Sequence, residues 1–163
     1  MAGHPLILRA AAIEAMAWER RVHFLNPEAD RLRKSLGDAV GLSRIGVHLV
    51  RLEPGRDSTE HHLHHDEEEC LYLLSGEGTL QLGEEAFEVG AGDFVGFPAG
   101  GPAHSLRNTG SEPLLYLVMG QRLEHDVADY PRRGQRLYRH RGAWDLVDLA
   151  ALRDPRPGTP RKD

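Results

Sequence analysis

A run of histidines and acidic residues near the middle of the chain contains the side chains that bind divalent metal ions. Between Gly55 and Gly76 the sequence reads GRDSTEHHLHHDEEECLYLLSG, and four of the five positions from 61 to 65 are histidine. Neutral imidazoles and carboxylates bind iron, manganese, nickel or zinc. No thiolate or thioether is placed to join them, so the ligand types predict a divalent metal site without choosing among these four metals.

The local backbone decides which of these side chains can meet at one ion. On a helix His61, His65 and Glu69 would share a face, whereas on a strand His62 and His64 would project to the same side. The glycine before the run and the apolar CLYLL after it favour a strand. We therefore predict that His62 and His64 are ligands and that His61 and His65 face the other side, toward solvent or a subunit contact. The acidic residues at 66–68 are expected to form a solvated turn.

A second segment, GDFVGFPAGGPAHSLRN at residues 92–108, supplies another histidine. A predicted strand at Phe94–Phe97 enters a turn rich in proline and glycine, and the next strand begins close to His104. An imidazole arriving from this neighbouring strand would complete a set of three histidines and one carboxylate. Such a set buried without an ion would be costly, so metal binding is the favoured interpretation.

The elements that must position these residues are short strands. Apolar runs separated by glycine-rich turns predict an all-β antiparallel sandwich or barrel with a pocket between its two sheets. The predicted strands are Ile45–Leu52, Cys70–Ser75, Thr79–Leu82, Ala86–Val89, Phe94–Phe97, Ala103–Arg107 and Leu114–Met119. We assign the barrel domain to residues 44–120.

Both flanking segments are predicted to be extensions of this barrel. Residues 1–43 are expected to be irregular apart from a short helix around Ile13–Arg21. Residues 121–163 are expected to be a polar extension with a last short helix at Trp144–Leu152. Residues 154–163 offer little to bury and are predicted to be a disordered end.

Composition narrows the classes of partner and the compartment. With 163 residues the chain fits one domain, and a net charge of −5 argues against nucleic acid as a partner. No apolar stretch is long enough to cross a membrane, and no signal peptide is recognised. The single cysteine, Cys70, excludes an internal disulfide and favours a cytoplasmic location.

The first histidine segment resembles the first of the paired motifs of the cupin superfamily. That motif has a glycine before H-x-H, then three or four residues, a glutamate, six residues and a glycine. Here His62-Leu63-His64 is followed by four residues, Glu69, six residues and Gly76, and of the neighbouring glutamates only Glu69 gives this spacing. Six residues separate Gly55 from His62 where five are usual, so His61 stays open as an alternative register.

The second segment resembles the second cupin motif, which has a glycine, five residues, P-x-G, two residues, a histidine, three residues and an asparagine. The matching positions are Gly92, Pro98, Gly101, His104 and Asn108, with one extra residue between Pro98 and Gly101. This extra residue lengthens a turn and leaves the ligand spacing beyond it unchanged. The resemblance covers roughly residues 44–120.

Membership of this superfamily implies a fold, a metal site and an assembly. The implied fold is a double-stranded β-helix (the cupin jelly roll) with short irregular or helical extensions at both ends. The implied cofactor is one divalent transition metal ion (iron, manganese, zinc or nickel) held by His62, His64, Glu69 and His104. The implied assembly is a homodimer. The flanks KSLGDAVGL and DVADYP resemble a bacterial cupin group whose members have sometimes been described as sugar-phosphate isomerases.

Two classes of function follow from such a site. The first is a metal-dependent enzyme acting on a small polar metabolite, either a dioxygenase or an isomerase of a sugar phosphate or keto acid. It requires a second protonatable group facing the metal, and His48, on the same strand face as Val50 and Leu52, is the candidate catalytic residue. The second is a non-catalytic, metal-dependent binding or sensing domain, which predicts a pocket lined by Leu and Val. Because many cupins are enzymes, the resemblance favours the first.

Overall fold

Thirteen β-strands and two short α-helices form residues 4–156, the part of the chain that the structure, a computed structural model, describes. The strands are β1 (Glu19–His23), β2 (Asn26–Ser35), β3 (Ile45–Leu52), β4 (Leu63–His64), β5 (Glu69–Ser75), β6 (Glu77–Leu82), β7 (Glu85–Gly90), β8 (Phe94–Phe97), β9 (His104–Arg107), β10 (Leu114–Gln121), β11 (His125–Tyr130), β12 (Gln135–His140) and β13 (Ala143–Asp148). The helices are α1 (Ala10–Ala15) and α2 (Leu36–Ala39), and single 3-10 turns lie at Pro131–Arg133 and Leu149–Ala151.

The strands pair antiparallel in three sheets. A six-stranded sheet has the order β1-β2-β3-β10-β5-β8, a four-stranded sheet the order β13-β12-β11-β4, and a three-stranded sheet the order β7-β6-β9. The predicted all-β fold class is therefore confirmed. Within the described residues no helix is long and apolar enough to cross a lipid bilayer.

The strands predicted between residues 45 and 121 are present with nearly the predicted bounds. β3 and β8 begin and end at the predicted residues, and the other five predicted strands differ by at most two residues at either end. Short apolar runs bounded by glycine-rich turns carried this prediction, because turn residues mark where each strand ends.

The prediction of an irregular N-terminal extension is wrong. Only Ala10–Ala15 is helical, and the helix expected around Ile13–Arg21 is replaced in its second half by strand β1. The hairpin formed by β1 and β2 extends the six-stranded sheet, with Arg33 opposite Val50 on β3. These strands are rich in arginine, and several arginines line a cavity instead of an apolar core. Without apolar alternation, the usual sequence signal of a strand was missing.

The predicted helix at Trp144–Leu152 is also wrong. Ala143–Asp148 forms strand β13, which pairs with β12, and only Leu149–Ala151 turns helically afterward. The hairpin between β12 and β13 turns at Arg141 and Gly142, which have φ angles of 47° and 89°. Two successive positive φ angles are typical of the turns that match strand twist in two-residue hairpins. Most of the predicted disordered end, residues 157–163, lies outside the described residues.

The main core lies between the six-stranded and three-stranded sheets. Its buried members are Val50, Leu52, Leu71, Leu73, Leu80, Phe97, Leu106, Leu114 and Tyr116. A smaller cluster of Ala128, Tyr130 and Leu137 packs against Leu25 in the N-terminal hairpin. Burying each large aliphatic side chain contributes roughly 1.5–3 kcal/mol. The second cluster therefore fastens the C-terminal sheet to the N-terminal hairpin, and both extensions belong to the folded unit.

Two residues of the histidine-containing motifs, Gly76 and Asn108, are not candidate metal ligands and have structural roles. Gly76 has a φ of 82°, and a Cβ there would lie 2.8 Å from the carbonyl oxygen of Pro113, so the turn requires glycine. The side chain of Asn108 is fully buried and donates to the carbonyl oxygens of Leu52 and Glu112 at 2.7 and 2.9 Å. The asparagine thereby ties the end of the second motif to strand β3.

Candidate metal site and ligand cavity

Strand register brings the three predicted histidine ligands to one place. His62 and His104 form an isolated antiparallel bridge, with backbone hydrogen bonds in both directions at 2.7 and 3.1 Å. His64 on β4 lies opposite the small residue Ala128 on β11. The His62 ring centroid is 4.9 Å from that of His64 and 4.7 Å from that of His104. The imidazoles therefore meet although they come from two distant parts of the chain.

Hydrogen bonds to the Nδ1 atoms fix how each ring presents its Nε2 atom. Nδ1 of His62 lies 2.8 Å from the carbonyl oxygen of Glu60, and Nδ1 of His104 lies 3.4 Å from that of Pro102. A carbonyl oxygen can only accept, so both Nδ1 atoms carry the proton. Nδ1 of His64 likewise donates to the carboxylate of Asp126 at 2.6 Å. In the neutral ring the Nε2 lone pair is then free.

Two of these lone pairs face each other at short range. Nε2 of His62 lies 3.2 Å from Nε2 of His64, and Nε2 of His104 is buried without a hydrogen-bond partner in residues 4–156. Imidazoles bound at about 2.1 Å to one ion would have nitrogens about 3.0–3.4 Å apart in octahedral or tetrahedral arrangements. The separation of the first pair fits that range, and the unpartnered third nitrogen is the kind of group an ion would satisfy.

The surroundings keep His62 and His104 neutral, as metal ligation requires, whereas for His64 burial is outweighed by the hydrogen bond to Asp126 and its charge, which raise the pKa of that ring. Burial, with the neighbouring His104 and His64, lowers the pKa of His62 well below its ordinary value. Burial lowers the pKa of His104 to about 4. The ring of His104 also stacks on Phe97, with centroids 3.6 Å apart and planes within 6°, which fixes the direction of its nitrogen atoms.

Glu69 reaches the same cavity from the opposite sheet. It begins β5 and lies in register between Gly120 and Phe97. Its Oε2 atom is 3.6 Å from the place that a Cβ on Gly120 would take, so the carboxylate lies along the neighbouring strand β10 at van der Waals distance. Burial raises the pKa of Glu69, while the charges of His64 and Arg31 oppose the rise. Within residues 4–156 this carboxylate makes no hydrogen bond or ion pair, and its oxygens are available to a ligand.

A different trio has the tightest spacing of ligand atoms. Among the described residues, His64, Glu67 and Asp126 have ligand atoms within 4.8 Å of one another, whereas the four predicted ligands do not form such a group. Arg139 makes ion pairs with both carboxylates of this trio. A metal cation at this position would have to displace the guanidinium and break the short bond from His64 to Asp126. We therefore interpret the trio as the support that orients His64.

This support was not recognised in the sequence. Glu67, expected in a solvated turn, is buried at 6% exposure and accepts a hydrogen bond from the backbone of Leu123 at 2.7 Å. Asp126 is 1% exposed and accepts further bonds from the backbone amides of residues 66 and 67. Burial opposes ionisation of Asp126, but His64 and Arg139 outweigh it and hold its pKa far below the ordinary value. A carboxylate of this kind fixes the tautomer of a metal-binding histidine and raises its basicity.

The other two histidines of the run lie away from this site, as the strand interpretation predicted. His61 is buried beside Ser105 in a separate polar cavity of about 330 Å³, which makes it a poor alternative to His62. His65 pairs with Asp129 at 2.9 Å and is partly exposed. Burial of His61 was not foreseen, since solvent or a subunit contact was expected there.

The candidate ligands open into a cavity of about 440 Å³, a size suited to a small metabolite. Apolar side chains, including Val50, Leu71 and Phe97, cover part of its wall, and polar side chains cover the rest. The polar wall residues outside the candidate ligands are Arg21, His23, Arg31, Arg33, His48, Ser58, Thr59, Glu67, Ser105, Tyr116, Tyr130 and Arg139. A non-catalytic binding domain was expected to have a pocket lined by Leu and Val. The wall of this cavity does not match that expectation, because it contains many polar side chains.

His48 lies in this wall. On β3 it stands opposite Val118 of β10 and Ser35 of β2, and it faces the cavity. Its Nδ1 atom is buried without a hydrogen-bond partner in the described residues, and its Nε2 atom is 3.5 Å from Arg122. Burial, followed by the charges of Arg33 and Arg122, lowers its pKa to about 4. The imidazole is therefore neutral near pH 7 and has a free nitrogen.

Antiparallel sheets that enclose inward-facing histidines and a glutamate define a jelly-roll barrel with a candidate metal site, the architecture of cupins. The family model described as Cupin domain (Cupin_2) matches residues 48–120. A solved structure from Acidithiobacillus ferrooxidans, provisionally named a sugar phosphate isomerase, is 55% identical with a TM-score of 0.91, covering 93% of this chain and 97% of the other. The chain therefore belongs to the cupin superfamily, and its fold is the double-stranded β-helix.

Two further relatives are more distant. A structure from Silicibacter pomeroyi, described as a sugar phosphate isomerase from a cupin superfamily, is 31% identical with a TM-score of 0.76, covering 83% of this chain and 90% of the other. The oxalate-binding protein of Thermotoga maritima is 37% identical over 70 residues, which is 43% of this chain and 56% of that protein. The chain spans about half the length of the curated relatives it matches.

Proposed function

We propose that this protein is a metal-dependent cupin enzyme that isomerises a small polar metabolite at a single divalent ion. The proposed ligands are His62, His64, Glu69 and His104. A bound divalent ion would act as a Lewis acid that polarises a carbonyl or hydroxyl oxygen of the metabolite. The proposal includes a cytoplasmic homodimer as the working form.

The observation that carries metal binding is the arrangement of the imidazole nitrogens. Three rings donate from Nδ1 and present Nε2 lone pairs to one region, two of them 3.2 Å apart and the third buried without a partner. Facing lone pairs in a buried site are costly without a cation between them. The available carboxylate of Glu69 on the opposite wall would supply the negative charge that a divalent ion needs.

Two observations favour isomerase chemistry over the other candidates. The cavity contains His48, a neutral imidazole whose Nε2 atom accepts from Arg122, so that the unpartnered Nδ1 atom carries the proton and would donate it to the metabolite as a general acid. Two relatives that match most of this chain are described as sugar phosphate isomerases, one of them provisionally. The oxalate-binding relative supports the wider statement that the ligand is a small oxygen-rich anion. Dioxygenase chemistry is the alternative, and the measurements of metal content and oxygen uptake described below distinguish it from isomerase chemistry.

Elemental analysis of the purified full-length protein tests the metal site. We expect close to one equivalent of a transition metal, and loss of most of it in His62→Ala and His104→Ala. His65→Ala is the matched control, because His65 belongs to the same histidine run but pairs with Asp129 outside the site. Metal content that is unchanged in the two ligand variants, or lost equally in the control, would reject the ligand assignment.

Isotope exchange tests the isomerase proposal. In deuterated water, an isomerase that works by proton transfer should place deuterium on the carbon next to the carbonyl of an accepted sugar phosphate or keto acid, and His48→Gln should slow the exchange while keeping the metal. Iron in the site together with oxygen uptake on adding substrate would instead establish a dioxygenase. Absence of both reactions with a bound metabolite would leave a binding domain.

A further inference from the structure

Arginines from the N-terminal hairpin line the cavity that contains the candidate metal ligands. Arg21 lies on β1, and Arg31 and Arg33 lie on β2. This hairpin precedes residues 48–120, the segment that the family model matches. The arginine wall, defined as Arg31 and Arg33, therefore lies outside the segment that the family model matches.

Sheet register accounts for the direction of these two side chains. Arg33 stands opposite Val50 on β3, and Val50 in turn stands opposite Tyr116 on β10. Directly opposed residues in a sheet project to the same face, and both Val50 and Tyr116 line the cavity. Arg31 is two residues away on the same strand and shares that face. Both guanidinium groups therefore belong to the inner wall.

The negative charge around these arginines does not balance them. Glu19 is the carboxylate in ion-pair contact, at 2.9 Å from Arg21 and 3.5 Å from Arg33. Nε of Arg33 is buried and makes no hydrogen bond among residues 4–156, and the 3.5 Å ion-pair contact with Glu19 is its nearest counter-charge there. In the same part of the chain Arg31 has no carboxylate within ion-pair distance, and its guanidinium donates to the carbonyl oxygen of Ser58. Arg21 and Arg33 thus share one half-exposed anion, and Arg31 has none within ion-pair distance in residues 4–156.

Physical chemistry predicts what such a wall binds. Burial, together with the charge of Arg21, lowers the pKa of Arg33, which marks a guanidinium that has lost water without gaining sufficient counter-charge. Arg31 and Arg33 line the same cavity as the candidate metal ligands, so one small molecule can reach both. Guanidinium groups bind carboxylate and phosphate oxygens through paired, charge-assisted hydrogen bonds.

We propose that Arg31 and Arg33 bind the anionic tail, a carboxylate or a phosphate, of a metabolite whose other end chelates the metal ion. This inference rests on the proposed metal-dependent function and narrows its substrate class to small hydroxy or keto acids and sugar acids that carry a second anionic group. The metal selects the oxygen-rich head of the ligand, and the N-terminal hairpin selects the charge and length of its tail.

Three probes with the same chelating head and different tails test the inference. Glycerate has an uncharged tail, malate a carboxylate tail and 3-phosphoglycerate a phosphate tail. Binding to the purified full-length protein, measured by calorimetry, should be about 10- to 100-fold tighter for at least one anionic-tail probe than for glycerate. The tighter of malate and 3-phosphoglycerate identifies which anion the wall accepts.

Variants connect that preference to the two arginines. In Arg33→Gln and Arg31→Gln the advantage of the anionic tail should fall to less than about 3-fold, while glycerate binding and metal content stay unchanged. Arg33→Lys should keep part of the advantage, because it retains charge but loses the paired donors. Arg51→Gln is the matched control: Arg51 lies on the neighbouring strand, pairs with Glu53 and does not line the cavity.

Failure of the inference can be distinguished from failure of the metal proposal. Equal affinity for all three probes in metal-containing protein, or an anionic preference that survives in both glutamine variants, would overturn the inference and leave the metal site intact. If the purified protein contains no metal, inorganic phosphate in the presence of EDTA tests the wall alone. Phosphate should then stabilise the wild type against heat and not Arg33→Gln, and equal effects on both would overturn the inference.

Discussion

Replacement of Asp126 by asparagine tests whether the hydrogen bond from His64 to Asp126 matters for metal binding, because it changes this bond and leaves all four proposed ligands in place. The carboxylate accepts from Nδ1 of His64 at 2.6 Å and from Arg139 at 2.8 Å through one oxygen, and from two backbone amides at 3.2 and 3.3 Å through the other. Asparagine keeps one acceptor oxygen and turns the other position into a donor. One pair of donors therefore loses its acceptor in either orientation of the amide, and His64 loses the charge that fixes its tautomer.

The expected effect on metal binding follows from that loss. Removing the partner that orients a metal-binding histidine weakens metal affinity by about 10- to 100-fold, which corresponds to about 1.4–2.7 kcal/mol. We expect this increase in Kd for Asp126→Asn in a competition titration against a chromophoric chelator, with Zn(II) and with Mn(II). The free energy of unfolding should also fall, by about 1–3 kcal/mol, since a buried group is left unsatisfied.

A second carboxylate on the same strand provides the control. Asp129 on β11 also binds a histidine and an arginine, with His65 at 2.9 Å and Arg136 at 2.6 Å, but His65 is outside the proposed site. Asp129→Asn should lower stability without changing the Kd for metal. If the two variants weaken metal binding equally, or if Asp126→Asn leaves the Kd within about 3-fold of the wild type, the assignment of Asp126 as the group that positions His64 is refuted.

Three further predictions test the fold, the buried histidine and the assembly. Gly76→Ala should destabilise the protein by about 1–3 kcal/mol more than Gly92→Ala in urea denaturation, because both glycines have positive φ but only a Cβ at 76 meets backbone atoms; equal losses would contradict this. Burial and two nearby arginines lower the pKa of His48 to about 4. As the pH falls from about 6.5 to about 4, this side chain therefore binds a proton in the unfolded chain but not in the folded chain, and the free energy of unfolding decreases. His48→Gln should reduce the drop in denaturation midpoint between pH 7 and pH 4.5 in EDTA, and an undiminished drop would count against it. Sedimentation velocity should give a homodimer, consistent with exposed apolar side chains such as Phe94, and a monomer would reject that prediction.

Residues with a regular spacing were predicted well. The H-x-H spacing on a strand selected His62 and His64 over His61 and His65, and the structure places the first pair in the cavity and the second pair outside it. The glutamate chosen by its distance to Gly76 also reaches the cavity. The metal-binding role of these residues is a proposal. Their placement in one cavity follows from the period of two along a strand, which puts His62 and His64 on one face, and from the position of Glu69 relative to the turn at Gly76.

Contacts between distant segments were not predicted for the residues that surround the candidate ligands. Glu67 gave no sign that it would be buried, because its partner Arg139 is 72 residues further along the chain. Asp126 lay within a short flanking match and had no evident link to a histidine 62 residues earlier. Arg31 and Arg33 fell in a segment predicted to be irregular, since a polar strand that faces a cavity lacks the apolar alternation by which strands are recognised.

The sequence by itself determined the fold class, the bounds of most barrel strands and which histidines share a face, because those properties depend on residue spacing along a single strand. Only the tertiary structure decided what surrounds those histidines: which carboxylate orients His64, which residues form the cavity wall, and that the N-terminal hairpin supplies arginines to it. These relations depend on the pairing of strands far apart in the chain, and that pairing is fixed by burial and hydrogen bonding of the whole molecule rather than by any local pattern.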